Sequence, residues 1–165
     1  MRKPLALIGF MGSGKTVVGG LVAQRSGAAF RDLDLMVEDQ AGMAVSDIFA
    51  IHSEAVFRSI ESSLLPKALQ PDTVVALGGG ATLDDANWKL TRERATTVYL
   101  EASFETIWGR IGHQATRPLF FGHPRDEIQA LLERRRPRYE EASHRVNADA
   151  PLDAVATEVL KLWSV

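Results

Sequence analysis

The chain of 165 residues contains no cysteine, which excludes disulfides and thiolate metal centres and leaves the fold resting on its apolar core. Its formal net charge is only −2, so no overall field draws it toward nucleic acid or an acidic membrane surface. No apolar stretch approaches the ~20 residues that a bilayer-spanning helix needs. The start, Met1-Arg2-Lys3-Pro4 and then an apolar run, imitates a secretory signal, but Gly12-Ser13-Gly14-Lys15 interrupts it too early. Internal repeats and low-complexity segments are also lacking. What is present, 45% hydrophobic and 24% charged residues, is the profile of an ordinary globular protein. The expectation is one domain over residues 1–165, in the cytoplasm, without nucleic-acid or membrane partners.

The informative stretch is Gly9-Phe10-Met11-Gly12-Ser13-Gly14-Lys15-Thr16, which fits G-x-x-x-x-G-K-[ST] at every fixed position. A strand-length apolar run, Leu5-Ala6-Leu7-Ile8, precedes it. Val18, Leu21 and Val22 follow at helical spacing. Strand, glycine loop and helix together make a phosphate cradle. The glycines aim backbone N–H groups at an anion, and the helix start adds the positive end of its dipole. Gly12, Ser13, Gly14 and Val17 belong to this cradle. Lys15 is expected to reach the β- and γ-phosphates, and the Thr16 hydroxyl to ligate Mg²⁺. The chain therefore binds a nucleoside triphosphate.

Further strands are expected at Ala29–Asp32, Thr73–Leu77, Thr97–Leu100 and Arg145–Asn147, with helices between them. Ser46 is expected to cap a short helix, and a longer one runs from about Glu54 to Leu69 with Pro66 near its end. Residues 112–124 lack periodicity and read as a mobile loop. Leu152, Val155, Ala156, Val159, Leu160 and Trp163 stripe a final helix. Alternating strands and helices predict an α/β fold, a parallel sheet covered on both faces, with its ligands beyond the carboxyl ends of the strands.

That rule gathers the candidate residues. Asp32, at the end of the second strand, is the nearest carboxylate to share the metal with Thr16, because the third strand ends in glycine; alternatively it caps the following helix. Asp34 is placed to orient a substrate hydroxyl, or else it serves only the helix dipole. Arg58 is either one half of a surface pair with Glu54 or a clamp for a small carboxylate, held by Glu61. Gly78-Gly79-Gly80 permits close approach to the backbone. Arg117, in the unpatterned loop, is positioned to meet the γ-phosphate. Of the arginines crowded at 134–138, most are surface charge.

Taken in order, these motifs resemble the shikimate kinase family over nearly the whole chain. They are the phosphate loop, Asp32-Leu33-Asp34, Phe57-Arg58 with Glu61, Val74-Val75-Ala76-Leu77-Gly78-Gly79-Gly80, Arg117-Pro118-Leu119 and Arg135-Arg136-Pro137-Arg138-Tyr139. The resemblance implies a P-loop fold of the nucleoside-monophosphate-kinase type, with three layers and a five-stranded parallel sheet in order 2-3-1-4-5. It implies a substrate-binding segment at about 33–61, a lid at about 112–124 and a monomer. The implied reaction is ATP-dependent phosphorylation of the 3-hydroxyl of shikimate, a step of chorismate and aromatic amino-acid biosynthesis. In that scheme Lys15, Asp34 and Arg117 are catalytic. Asp34 orients the acceptor hydroxyls, Arg58 and Arg135 grip its carboxylate, and the glycine triplet, chiefly Gly79, donates backbone hydrogen bonds. Arg110 stacks on the adenine and Arg117 contacts the ATP phosphates.

Two departures stand out. Ser53-Glu54 replaces Gly-Glu ahead of Phe57-Arg58, and Asn147-Ala148-Asp149-Ala150-Pro151-Leu152 lacks the arginine that usually covers the other adenine face. The rivals are a gluconate or nucleoside-monophosphate kinase of the same fold and a nucleotide switch. A GTP-dependent switch would want an Asn-Lys-x-Asp guanine reader, and the chain has none.

Overall fold

The structure is a computed structural model and describes residues 1–111 and 124–164. Strands β1 (Leu5–Ile8), β2 (Ala29–Asp32), β3 (Thr73–Ala76), β4 (Thr96–Glu101) and β5 (His144–Asn147) form one sheet in the order β2-β3-β1-β4-β5. Every neighbouring pair is parallel. Successive strand residues face opposite sides, and all four residues of both β1 and β3 are buried. Both faces of the sheet are therefore covered, which gives the three layers that the apolar runs predict.

The cover comes from α1 (Lys15–Ser26), α2 (Leu33–Ala41), α3 (Val45–Asp47, a single turn), α4 (Glu54–Ala68), α5 (Asp85–Arg94), α6 (Phe104–Ile111), α7 (Arg125–Tyr139) and α8 (Leu152–Trp163). Helix α1 presents Val18, Val22 and Ala23 to the core, and α8 presents Val155, Ala156, Val159 and Trp163. Gly19 has a packing reason to be a glycine inside α1, since a Cβ there would lie 2.6 Å from the Phe30 ring. Pro66 and Pro137 lie in the last turns of α4 and α7, where a missing N–H costs least continuation, and each helix ends two residues later.

One local expectation fails. Ser46 caps nothing: the turn begins at Val45 with an extended Ala44 before it. The Glu38 carboxylate accepts from the Val45 N–H at 2.9 Å, doing from α2 what Ser46 was expected to do. The backbone then widens into a π-helical turn over Ile48–His52, and Ser53 caps α4 by accepting from the Val56 N–H.

The register levels the strand ends. Leu7 and Asp32 both pair with Ala76, so the loop after β1, the end of β2 and the glycines after β3 emerge together.

Candidate active site

The loop after β1 is built by glycines in the left-handed region, Gly12 at φ 78° and Gly14 at φ 94°, which side chains with a Cβ rarely adopt. Gly14 is the N-cap of α1, so no side chain ties up the first helical N–H groups, and the first turn carries no acid to compete with an anion. The Lys15 ammonium folds over the loop, donating to the carbonyls of Gly9 at 2.7 Å and Phe10 at 3.0 Å. Arg110 closes the outer side by donating to the Gly12 carbonyl at 2.8 Å.

Beside the loop, the Thr16 hydroxyl donates to Asp32 Oδ2 at 2.7 Å. The other oxygen of Asp32 accepts from the Asp34 and Leu35 N–H groups and caps α2. The two readings of Asp32 are thus compatible, one oxygen for each. A hydroxyl and a carboxylate side by side are hard oxygen donors that suit Mg²⁺, which takes few protein ligands and shares the rest among water and phosphate. Among the described residues no cluster of three or more His, Cys, Asp or Glu could hold a metal by itself. The donor set fits an ion that arrives with a nucleotide.

The glycine triplet after β3, whose Gly78 and Gly79 line the cavity, also makes room for the protein's own charged groups. A Cβ on Gly78 would lie 2.7 Å from Asp34 Oδ1, one on Gly79 would lie 3.3 Å from Arg135 Nη1, and one on Gly80 would lie 2.7 Å from Arg58 Cζ. Three side chains from α2, α4 and α7 therefore meet at one short stretch of bare backbone.

Glu61 underlies this meeting. It is 1% exposed and accepts from Arg58 Nη1 at 2.9 Å and 3.2 Å. The contact of Arg58 with the exposed Glu54 is longer, at 3.6 Å. Arg58 thus keeps the pair with Glu54 and is also held by Glu61, so the structure contains both partners that the sequence offered. Burial pushes the Glu61 carboxyl up to about 6; Arg58 opposes the rise and the neighbouring Asp34 adds to it. Arg135 is 7% exposed, and its Nε and Nη1 have no hydrogen-bond partner among the described residues. Leaving guanidinium donors buried and unsatisfied is costly, which points to a ligand acceptor at this place.

A cavity of about 370 Å³ runs from Asp34, Gly78 and Gly79 past the phosphate loop to Arg110. Its far end is lined by Val17, Ala148, Ala150, Leu152 and Val155. Where the resemblance would place an arginine, this chain has an apolar wall. Asp149 in that segment is occupied in accepting from the Ser103 N–H at 2.9 Å.

The crevice thus brings together Gly12, Ser13, Gly14, Lys15, Thr16, Val17, Asp32, Asp34, Gly78, Gly79 and Arg110. Arg135 stands against Gly79 and Arg58 against Gly80, beside that lining rather than in it. Arg117 and the expected lid, apart from Pro124, lie outside the described residues. Sequence reasoning missed the apolar wall and the contact between Tyr139 and the glycine triplet. The only trace of the second in the sequence is the place of Tyr139 in the Arg135-Arg136-Pro137-Arg138-Tyr139 motif.

The family model "Shikimate kinase" matches residues 11–163. The shikimate kinases of Salinibacter ruber and Moorella thermoacetica are each 43% identical to this chain. The alignments cover 94% and 96% of it, and 82% and 95% of those proteins. The structure of shikimate kinase from Acinetobacter baumannii in complex with shikimate superposes with a TM-score of 0.93 at 30% identity, over 98% of this chain and 93% of that one. Motif order, sheet order and likeness over almost the full length agree: the chain belongs to the shikimate kinase family.

Proposed function

We propose that this enzyme transfers the γ-phosphoryl group of ATP to the 3-hydroxyl of shikimate, giving shikimate 3-phosphate and ADP in the pathway to chorismate and the aromatic amino acids. The observation that carries the reading is the buried Arg135, with donors unsatisfied, beside Gly79 and near an Arg58 already braced by Glu61. Two guanidinium groups flanking a glycine backbone suit a small carboxylate, and Asp34 at the same backbone suits a hydroxyl of the same molecule.

The acceptor carboxylate lies between Arg58 and Arg135, which fixes the ring. Asp34 accepts the hydrogen bond of the 3-hydroxyl and turns its oxygen toward the γ-phosphorus. The O3–P bond forms as the bond to the β,γ-bridging oxygen breaks, and the hydroxyl proton passes to the Asp34 side. The loop N–H groups and Lys15 hold the phosphates, so catalysis rests on positioning and charge neutralisation. Thr16 and Asp32 would hold Mg²⁺, which would supply positive charge against the negative charge of the phosphates. Arg110 and the wall at Ala150 and Leu152 take the adenine, and Arg117 completes the phosphate site. The family resemblance favours a monomer. A need for ATP supports a cytoplasmic location, and no described helix is long and apolar enough to cross a membrane.

The test is coupled ADP release with ATP–Mg²⁺ against shikimate, gluconate, AMP and CMP in parallel. Turnover with shikimate alone is expected; comparable turnover with gluconate or a nucleotide, or none at all, overturns the assignment.

A further inference from the structure

The glycine triplet presents a mechanical problem. Neither side of the Gly79–Gly80 peptide carries a Cβ, so nothing in the local chain prevents that unit from rotating and redirecting its N–H. Short backbone bonds close the turn around it, from the Ala81 N–H to the Gly78 carbonyl at 3.0 Å and from the Leu83 N–H to the Gly80 carbonyl at 3.2 Å. Neither holds the Gly79 carbonyl. That carbonyl is held from α7: the Tyr139 hydroxyl donates to it at 2.6 Å.

Tyr139 is well suited to be a fixed point. It is 0% exposed, with its ring 5.4 Å from that of Tyr99 on β4. Burial pushes its hydroxyl up to about 12, so it stays a donor through the physiological range. A second donor from the same turn of α7 pins the far flank, where Arg138 Nη1 donates to the Thr82 carbonyl at 3.0 Å. Arg135, one helical turn before Tyr139, stands against Gly79.

We infer that Tyr139 is a positioning residue for the acceptor site: its hydroxyl fixes the Gly79–Gly80 peptide and sets that backbone at a constant distance from Arg135. The peptide is trans, so anchoring the Gly79 carbonyl toward α7 turns the Gly80 N–H away from it. One helix thereby supplies a cation for the acceptor and fixes the backbone that faces it. This inference rests on the proposed acceptor reading and adds to it the residue that sets the backbone donor.

The experiment compares the full-length wild type with Tyr139→Phe and Trp163→Phe. The Trp163 indole N–H donates to the Lys3 carbonyl at 2.8 Å, ahead of β1 and at the end of the sheet away from the glycine triplet. It controls for the loss of one side-chain-to-carbonyl bond. Melting temperature, the KM values for shikimate and ATP, kcat, and calorimetric binding of each ligand are measured. Tyr139→Phe is expected to raise the shikimate KM and dissociation constant about tenfold, with both ATP values within about twofold. Trp163→Phe is expected to lower the melting temperature and leave both KM values unchanged. Should Tyr139→Phe fail to fold, Arg138→Gln takes its place, with the same acceptor-selective loss expected. An unchanged shikimate constant, or equal losses for both ligands, overturns the positioning role while the wild type still phosphorylates shikimate. A wild type that neither binds nor phosphorylates shikimate overturns the acceptor reading, and the inference with it.

Discussion

Replacing Glu61 by glutamine should make the protein more stable and the enzyme worse. Glu61 is 1% exposed and sits between the Arg58 guanidinium and the Asp34 carboxylate, close to Gly78. Burial raises its pKa from 4.5 to about 6, so the folded state holds this proton more tightly than the unfolded chain does. The associated stability is fully present below pH 4.5 and is lost as pH rises through about 6. The move corresponds to about 2 kcal/mol that the ionised wild type lacks at neutral pH. A glutamine does not titrate. Its carbonyl still accepts from Arg58 and its amide faces Asp34 as a donor, but the charge that fixes Arg58 is gone. Paired melting curves of wild type and Glu61→Gln at pH 4.5 and pH 7.5 read the effect. Relative to the wild type, the variant should gain about 4–8 °C between the lower and the higher pH. At pH 7.5 its shikimate KM should rise several-fold, with the ATP KM unchanged. The wild-type dependence of kcat/KM for shikimate should fall on the acid side near pH 6, and the variant should lack that limb. A melting difference that is the same at both pH values would refute the reasoning, because Glu61 would then not titrate between them.

Arg58→Ala should weaken calorimetric shikimate binding by about 10- to 100-fold, the worth of a charge-assisted contact, and ATP binding by less than twofold; equal losses would contradict its acceptor role. Gly80→Ala suits the backbone, whose φ is −100°, but puts a Cβ against the Arg58 guanidinium. Its shikimate KM should rise while its melting temperature stays close to the wild type, and a wild-type KM would show that Arg58 does not need that space. Asp32→Asn should keep the cap on α2 and lose about 100-fold or more in kcat, whereas Asp32→Ala should lose the activity and about 1 kcal/mol of stability besides. Equal melting temperatures for the two variants would deny Asp32 its capping role.

The phosphate loop and the sheet were legible because each rests on local chemistry. Gly12, Gly14, Lys15 and Thr16 form a contiguous pattern, and the fully buried β1 and β3 announce themselves as unbroken apolar runs. The proposed acceptor site was legible as a set of residue types, Asp34, Arg58, Arg135 and the triplet, but its assembly was not. That Gly78, Gly79 and Gly80 each make room for one of those side chains depends on three helices distant in sequence meeting at β3. The same limit explains Tyr139, whose hydroxyl reaches a carbonyl 60 residues away. It also explains Ser46, since nothing local says that Glu38 will cap the Val45 turn first. The apolar wall at Ala148, Ala150 and Leu152 was visible only as a missing arginine, because backbone and methyl contacts carry no motif.

The most direct measurement is phosphorus NMR of the wild-type reaction with ATP, Mg²⁺ and shikimate, with the product's phosphorus–proton coupling assigned on the ring. A single new phosphomonoester coupled to the proton at carbon 3, growing in step with ADP, is expected. A monoester at another hydroxyl, or ADP and inorganic phosphate without a monoester, would contradict the proposed transfer.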